Sequence, residues 1–192
     1  GLVGSNCFNY FKTKGWDCIG TFFSYQAKNT VFFDTLNLNN KDNFDIYNFK
    51  PDVIVHCGAL THVDYCEQHK EESYDKTVLS TKNIIEIAKK LNAKLIFIST
   101  DYVFDGANGP YDEDANTHPI SIYGKHKLEA EQAVLAASTT NLVLRITNVY
   151  GDEERGKNFV ARIVEQIQNK QKLTYKGLYG HDYHKLELFM ND

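Results

Sequence analysis

The chain has 192 residues, of which 42% are hydrophobic, 13% aromatic and 24% charged, and its formal net charge is −4. This length predicts about one domain with a substantial core, and the hydrophobic fraction excludes a disordered chain. The sequence has no apolar run of the roughly 18–20 residues that a membrane span needs, and no cluster of lysine and arginine typical of a nucleic-acid binder, so both classes are excluded.

Segments with helical periodicity alternate with short apolar, strand-like segments along the chain. The assignments use the spacing of apolar residues, the β-branched runs, and the positions of glycine and proline. In chain order, the predicted elements are a helix over 2–14, strands over 17–23 and 30–34, a helix over 39–50, a strand over 52–57, a helix over 73–92, a strand over 94–99, a loop over 105–119, a helix over 120–137, a strand over 141–146 and a helix over 156–172.

This alternation predicts βαβ units, in which parallel strands are joined by crossover helices. The predicted fold class is therefore α/β, with a Rossmann-like doubly wound parallel sheet and helices on both faces. In such folds ligands bind at the carboxyl edge of the sheet, so residues that follow strand ends are the first candidates for a site.

The cysteines and histidines predict neither disulfides nor a metal centre. No C-x-x-C pair occurs, and free thiols in a chain with a real core are typical of a cytosolic protein, so we expect the cytoplasm. The His, Cys and Asp residues between positions 56 and 69 fit no standard metal spacing, and we expect no metal. The four cysteines are Cys7, Cys18, Cys57 and Cys66.

Two local patterns carry chemistry. Gly1 and Gly4 lie three apart at the start of a predicted helix, where the backbone can approach a phosphate, although such glycines are more often structural. Tyr123 and Lys127 lie one helical turn apart, so that an ammonium beside the phenol would lower its pKa and suit it to proton transfer. The pair follows a strand that ends in hydroxyl residues, which separates it from the same spacing elsewhere in the chain.

The segment 99–106 reads S-T-D-Y-V-F-D-G, and Tyr123-Gly-Lys-His-Lys127 follows it. Together with D-V-I-V-H-C-G-A-L-T-H-V-D-Y-C-E over 52–67 and R-I-T-N-V-Y-G over 145–151, these motifs resemble the extended short-chain dehydrogenase/reductase superfamily. Within it, they are most similar to the dTDP-4-dehydrorhamnose reductase family. The resemblance extends over about residues 1–172, and the eight-residue run is its most specific part.

The resemblance implies an NAD(P)H-dependent reduction of a nucleotide-linked 4-keto sugar, and it allows a homodimer. It implies that Tyr123 donates the proton, that Lys127 lowers the pKa of Tyr123 and holds the nicotinamide ribose, and that Thr100 hydrogen-bonds the keto oxygen. The binding residues that it implies are Gly1, Leu2, Val3, Gly4, Asn37, Leu38, Ala59, Leu60, Thr61, Tyr123 and Lys127 for the cofactor, and Thr100, Asp101 and Asn148 for the substrate.

The sequence departs from this family's usual pattern at several positions. Asn148 stands where a Trp is usual, His126 where a Ser is common, and Thr77 where an Asn is usual. No acidic residue ends the second strand of the family, at Thr21–Ser24 here, so the usual acceptor for the ribose 2′-hydroxyl of NAD is missing. This favours NADP(H) over NAD(H).

The family has a strand before the position of Gly1 and a larger substrate domain after position 172. We therefore expect the chain to be a portion of a longer protein. Residues 1–172 would form the NAD(P)-binding Rossmann domain without its first strand, and 173–192 a remnant of the substrate-binding part.

Two other functions use the same residues. An epimerase or dehydratase of nucleotide sugars would retain its cofactor, but dehydratases of this superfamily usually carry an acidic pair after the hydroxyl residue, whereas Asp101 and Tyr102 follow Thr100. A non-catalytic regulatory subunit is the third reading, because the regulatory subunit of methionine adenosyltransferase shares the S-T-D-Y-V-F-D-G run. The presence of Thr100, Tyr123 and Lys127 favours catalysis.

Overall fold

Parallel strands and helices alternate along residues 1–151 and 159–169, the part of the chain that the computed structural model describes. It divides into two compact units: Gly1 with Val3–Thr147 form the larger, and Leu2 belongs with the residues from Asn148 onward to the second. The elements are α1 (Leu2–Thr13), β1 (Gly20–Phe22), β2 (Thr30–Phe32), α2 (Ile46–Phe49), β3 (Val53–His56), α3 (Val63–Gln68), α4 (Lys70–Tyr74), a π-helical turn (Asp75–Leu79), α5 (Ser80–Leu91), β4 (Lys94–Thr100), a 3₁₀ turn (Asp101–Val103), α6 (Ile122–Ala137), β5 (Leu142–Ile146) and α7 (Phe159–Gln168).

All the described strands pair in parallel, which confirms the predicted α/β class. They form two sheets: β1 pairs with β2, and β4 lies between β3 and β5. The register of the second sheet sets His56 beside Phe97 and Thr100 beside Ile146. Because the strands are parallel, the carboxyl ends of β3, β4 and β5 meet at one edge, and the loops that follow them converge there.

The core lies between the three-stranded sheet and helices α5 and α6. Leu95 and Phe97 alternate along the inward face of β4 with no exposed surface. Apolar residues of α5 recur at helical spacing and face this strand, and the helix ends at Asn92, whose left-handed backbone suits a C-cap. The buried core residues are Phe33, Ile84, Ile85, Ile87, Ala88, Leu95, Phe97, Ala130 and Val134.

The predicted helix over 39–50 is wrong except for its last turn, since only Ile46–Phe49 is helical. Side-chain oxygens of this segment accept backbone N–H groups: Asn40 accepts from Asp42 of the segment at 3.0 Å, and Asn43 accepts from Asp34, before the segment, at 2.7 Å. Asn and Asp side chains compete with helix formation in this way.

The other predicted elements are confirmed with shifted ends. The long helix predicted over 73–92 starts earlier, at Lys70, and contains the π-helical turn. The predicted strands over 17–23 and 30–34 shorten to three residues each. The last predicted helix is present over Phe159–Gln168, whereas its flanks and the segment 173–192 lie outside the described residues. In the described part of the chain, no helix has the length and apolar character needed to cross a membrane.

Candidate functional site

The hydroxyl of Thr100 lies at the carboxyl end of β4, where the strand turns into a single 3₁₀ turn. Its backbone is extended, and its Oγ1 accepts the backbone N–H of Tyr102 at 3.2 Å, which caps the turn. The same side chain lies close enough to Tyr123 to lower the pKa of its phenol. The strand end and its cap therefore fix a buried hydroxyl beside a phenol.

Tyr123 is held by the start of α6. Ser121 is the N-cap of this helix, and its Oγ accepts the backbone N–H of Gly124 at 3.1 Å. Glu67 of α3 accepts the backbone N–H of Ile122 at 2.6 Å, which satisfies a second first-turn amide. These caps set the first turn of α6 against the end of β4, so the predicted proximity of Thr100 and Tyr123 is present in the structure.

Gly124 permits this close approach. A Cβ at Gly124 would lie 2.2 Å from the carbonyl oxygen of Tyr102 and 3.1 Å from Cβ of Pro119. A 2.2 Å contact with backbone oxygen cannot be relieved by rotating a side chain. The glycine after Tyr123 is therefore required for the packing of α6 on the 3₁₀ turn.

We expect Gly124→Ala to lower the free energy of unfolding by about 1–3 kcal/mol, because overpacking forces the backbone to shift. Alanine has the higher helix propensity, so the local preference alone would predict the opposite sign. Urea denaturation of both proteins measures the difference. Gly109→Ala is the matched control, since its Cβ would meet Tyr111 at an ordinary 3.5 Å. A Gly124→Ala protein as stable as this control would contradict the packing argument.

Lys127 lies one turn after Tyr123, and only 3% of its surface is exposed. Its Nζ donates to the carbonyl oxygen of Ile98 at 2.6 Å and lies 4.0 Å from the centre of the Phe97 ring. Burial lowers the pKa of Lys127 to about 8, while the charge of Glu131 on the same helix acts in the opposite direction. The ammonium is therefore held beneath the end of β4 rather than in solvent.

The expectation that Lys127 lowers the pKa of Tyr123 is wrong for this structure. Burial raises the pKa of Tyr123 above its usual value, and the hydrogen bond from Thr100 only partly opposes this effect. The reason is geometric: the ammonium of Lys127 is directed at the carbonyl of Ile98 and the face of Phe97. Tyr123 accordingly keeps its proton at neutral pH.

The predicted cofactor loop follows β3 and is fixed by two helices. Leu60 donates its backbone N–H to Oγ1 of Thr77 in the π-helical turn at 3.4 Å. Its carbonyl accepts the thiol of Cys66 in α3 at 3.6 Å. Ala59 and Leu60 are half-buried and Thr61 is exposed, so the loop presents Thr61 at the sheet edge. Thr77, noted as a departure from the family pattern, thus has a positioning role for this loop.

The residues at the start of α1 fit the pyrophosphate of a dinucleotide. Gly1 is the N-cap of this twelve-residue helix, whose first turn carries no acidic side chain. A Cβ on Gly4 would lie 3.5 Å from Cβ of Cys57, which places the first turn of α1 against the end of β3. A helix N-terminus at the carboxyl edge of a parallel sheet favours a phosphate by its amides and dipole. Leu2 and Val3 complete this first turn.

Asn37 and Leu38 lie on the loop that follows β2, and both are exposed. The carboxylate of Asp34 accepts the backbone N–H groups of Leu36 at 2.9 Å and Asn37 at 3.2 Å, which shapes the loop. This loop follows a strand of the two-stranded sheet, whereas Thr100 ends a strand of the three-stranded sheet. An adenine-facing role for Asn37 and Leu38 stays a prediction.

The predicted substrate residues differ in their placement. Asp101 is exposed next to Thr100, and its carboxylate accepts the hydroxyls of Thr100 at 3.2 Å and Thr147 at 2.8 Å. Asn148 is exposed and belongs to the second unit. Asp101 is therefore part of the cluster at the end of β4, whereas the substrate role of Asn148 stays a prediction.

An ion pair behind the site was not predicted from the sequence. Glu131 of α6 is 1% exposed, and Arg145 of β5 donates to its carboxylate from Nε at 3.1 Å and 3.2 Å and from Nη2 at 2.8 Å. Arg145 also donates from Nη1 to the carbonyl of Glu113 at 3.2 Å and lies 5.1 Å from the ring centre of Phe104. The sequence feature that could have predicted this ion pair is Glu131 itself, a glutamate four residues after Lys127 on the buried face of α6.

The buried polar residues His56 and Ser99 were also missed as site residues. His56 ends β3, and Ser99 precedes Thr100 on β4, so both lie close to the sheet edge. Burial, aided by the charge of Lys127, lowers the pKa of His56 to about 3, and the imidazole is therefore neutral. Among the described residues, no group of three or more His, Cys, Asp or Glu side chains is arranged to hold a metal ion.

Comparisons with known proteins show the family of the chain. The profile of the protein family described as "RmlD substrate binding domain" matches residues 1–176. The beta subunit of methionine adenosyltransferase 2 from Bos taurus is 39% identical over 175 residues, which are 90% of this chain and 52% of that protein. The chain thus spans about half the length of the curated relatives it matches.

Solved structures share the fold. A hypothetical dTDP-4-dehydrorhamnose reductase from Sulfolobus tokodaii has a TM-score of 0.74 and 25% identity, over 88% of this chain and 61% of that one. A dTDP-4-dehydrorhamnose reductase from Bacillus anthracis, solved in complex with NADP, has a TM-score of 0.61 and 34% identity, over 64% of this chain and 44% of that one. The Rossmann-like fold class is confirmed by these likenesses.

Proposed function

The chain belongs to the RmlD substrate binding domain family, and from this premise we propose that it carries the cofactor-binding and proton-donating half of an NAD(P)H-dependent reductase. The proposed substrate is a nucleotide-linked 4-keto sugar, and the proposed reaction reduces the ketone to an alcohol. The enzyme is of the short-chain dehydrogenase/reductase type. The whole protein's activity and substrate are part of the proposal, since the chain covers about half of its relatives.

One observation carries the proposal: the buried side chains of Thr100 and Tyr123 lie next to each other at the carboxyl edge of the sheet. Both hydroxyls can donate to one carbonyl oxygen bound between them. A ketone bound there is polarised by two donors in a site of low dielectric, where hydrogen bonds to developing charge are strongest. Lys127 supplies a positive charge one turn away.

The residues of this chain have distinct parts in the reaction. A reduced nicotinamide cofactor, when bound, supplies the hydride. As the carbonyl carbon is reduced, negative charge develops on its oxygen, and Tyr123 transfers its phenolic proton to that oxygen. Its raised pKa suits this role, because the donor must enter the reaction protonated. Thr100 orients the oxygen, and the ammonium of Lys127 would hold the nicotinamide ribose of the bound cofactor.

NADP(H) is the proposed cofactor in preference to NAD(H). The Bacillus anthracis relative was solved with NADP, and it is 34% identical. Residues 21–24, T-F-F-S, at the end of β1 offer no carboxylate that would repel a 2′-phosphate. The first turn of α1 and the loop over 59–61 would hold the pyrophosphate and line the site.

The direct test is cofactor oxidation by the native protein that contains this sequence. Purified protein is mixed with NADPH and a dTDP-linked 4-keto sugar, and the loss of NADPH absorbance is followed. We expect oxidation that requires the sugar nucleotide and is slower with NADH. The absence of sugar-dependent oxidation with either cofactor, in a protein that binds NADPH, would contradict the proposal.

We expect the rate of reduction to fall as the pH rises through about 8. Lys127, with its pKa lowered to about 8, is charged below that value and neutral above it. Tyr123 stays protonated over this range because its pKa is raised, so the loss comes from the missing ammonium. The pH dependence of kcat measures this effect. Lys125→Met should keep the fall and Lys127→Met should give a low, flat profile; a wild-type profile that stays level to pH 10 would contradict the assignment.

A non-catalytic regulatory subunit is the second candidate. The observation that favours it is the 39% identity, over 90% of this chain, to the beta subunit of methionine adenosyltransferase 2 from Bos taurus. In that case the site would bind the dinucleotide without turnover, and the protein would act in an assembly. Copurification with a synthetase-like partner, together with NADPH binding and no oxidation by any 4-keto nucleotide sugar, is the result that this candidate predicts.

A further inference from the structure

Two polar side chains next to Lys127 are buried, and their outer polar atoms have no hydrogen-bond partner. They are Nε2 of His56 and Oγ of Ser99, and this holds within the described part of the chain. His56 is 6% exposed and Ser99 is 3% exposed. Buried polar atoms in folded proteins nearly always have a partner, either from the protein or from an ordered water.

The two side chains face the same side of the sheet. His56 pairs with Phe97 in the register of β3 and β4, and Ser99 lies two residues beyond Phe97, so its side chain lies on the same face. The imidazole of His56 leans along the strand toward Gly58, where a Cβ would lie 3.1 Å from its Cε1. Continuing the register by two residues sets Gly58 opposite Ser99, and a glycine leaves room there.

Lys127 borders the same space. Its Nζ lies 4.0 Å from the centre of the Phe97 ring, and the His56 ring stacks on Phe97 with a centroid distance of 5.9 Å and an interplanar angle of 29°. Within residues 1–151 and 159–169, this ammonium has one hydrogen-bond acceptor, the carbonyl of Ile98 at 2.6 Å. An ammonium has three donors, so further acceptors nearby stabilise its charged form.

We infer that His56 and Ser99 bind one ordered water molecule on the helix side of the sheet, and that this water accepts a hydrogen bond from Lys127. The neutral imidazole and the hydroxyl give such a water two partners, and the ammonium gives a third, which is the usual number for a buried water. His56 and Ser99 are therefore positioning residues, which act on the proposed reaction through Lys127.

The inference rests on the proposed function only for the role of Lys127, and its test needs no turnover. The groups that act on the charge of Lys127 are Glu131 on its own helix, Cys57 after β3, and His56, whose imidazole is neutral. Removing the water withdraws an acceptor from the ammonium without changing any of these charges. The protonation midpoint of Lys127 should therefore move to lower pH.

The experiment measures that midpoint by ¹³C NMR of the Lys127 side chain in the native protein, and locates the water in its crystal structure. In the wild type we expect an ordered water within hydrogen-bond distance of His56 Nε2 and Ser99 Oγ. His56→Leu should lower the Lys127 midpoint by about one pH unit, a tenfold change in the protonation equilibrium. His56→Asn, which keeps a polar group, should restore most of this shift, and the exposed His118→Leu should not move it.

Two results would each overturn the inference. One is a wild-type crystal structure with no water at these two atoms. The other is a folded His56→Leu protein whose Lys127 midpoint equals that of the wild type. Should His56→Leu not fold, Ser99→Ala is the replacement, with a smaller expected shift in the same direction. A protein that shows the water and the shift but no reductase activity would contradict the proposed function and leave this inference standing.

Discussion

Tyr123→Phe is expected to lower kcat for ketone reduction by about 10²–10⁴-fold, the usual contribution of a positioned proton donor. The change removes one hydroxyl and keeps the ring, which packs edge to face against Tyr102 with centroids 5.4 Å apart. The helix start and its Ser121 cap do not involve the phenol oxygen. We therefore expect the Kd for NADPH and the free energy of unfolding to change little. Steady-state kinetics with a dTDP-linked 4-keto sugar measure the effect.

The chain contains its own control for this substitution. Tyr10 and Lys14 have the same four-residue spacing on α1, with the ammonium 5.5 Å from the Tyr10 ring centre, but Tyr10 is 58% exposed. Tyr10→Phe should leave kcat unchanged. A Tyr123→Phe protein with wild-type kcat would show that Tyr123 is not the proton donor.

Arg145→Met is expected to lower the free energy of unfolding by about 3–5 kcal/mol, which is the typical cost of removing one partner of a buried ion pair. The cost arises because Glu131, with 1% of its surface exposed, would keep a charge without its three hydrogen bonds from Arg145. The bond to the carbonyl of Glu113 would be lost as well, so the loop over 105–119 should loosen. Urea denaturation and hydrogen exchange of that loop measure the two effects.

Two further variants show whether Arg145→Met destabilises the protein by leaving a buried charge unpaired or by removing packing contacts. Replacing both partners, as Arg145→Met with Glu131→Leu, should recover much of the loss, because no unpaired charge remains. Lys89→Met breaks the exposed pair with Glu86 and should have far less effect. A single Arg145→Met variant that is no less stable than Lys89→Met would show that Glu131 does not depend on its partner.

The fold was largely predictable from the sequence because its strands and its main helices carry strong apolar patterns. The β-branched run over 52–57 and the run K-L-I-F-I-S predict β3 and β4, and both strands are present. The segment over 39–50 was mispredicted because its Asn and Asp side chains bond to the backbone, as Asn40 and Asn43 do. Hydrogen bonds from side chains to the backbone do not change the spacing of apolar residues, so the apolar pattern does not reveal them.

The site was predictable in part: the sequence indicates which residues form it, but not which atoms their side chains contact. A strand that ends in hydroxyl residues and a Tyr-x-x-x-Lys pair predicted that Thr100 and Tyr123 lie together, and the structure places their side chains next to each other. The orientation of Lys127 toward Ile98 was not predictable, because it depends on which side chains bury the ammonium. The need for Gly124 was not predictable either, since only the distance to the Tyr102 carbonyl reveals it.

Hydride transfer to the sugar is the central claim, and isotope labelling tests it most directly. The native protein that contains this sequence is incubated with a dTDP-linked 4-keto sugar and NADPH in which both hydrogens at carbon 4 of the nicotinamide are deuterium. The product is then analysed by mass spectrometry and NMR. We predict one deuterium at carbon 4 of the sugar. A protein that binds the labelled cofactor but leaves the sugar unlabelled after prolonged incubation would contradict the reductase account.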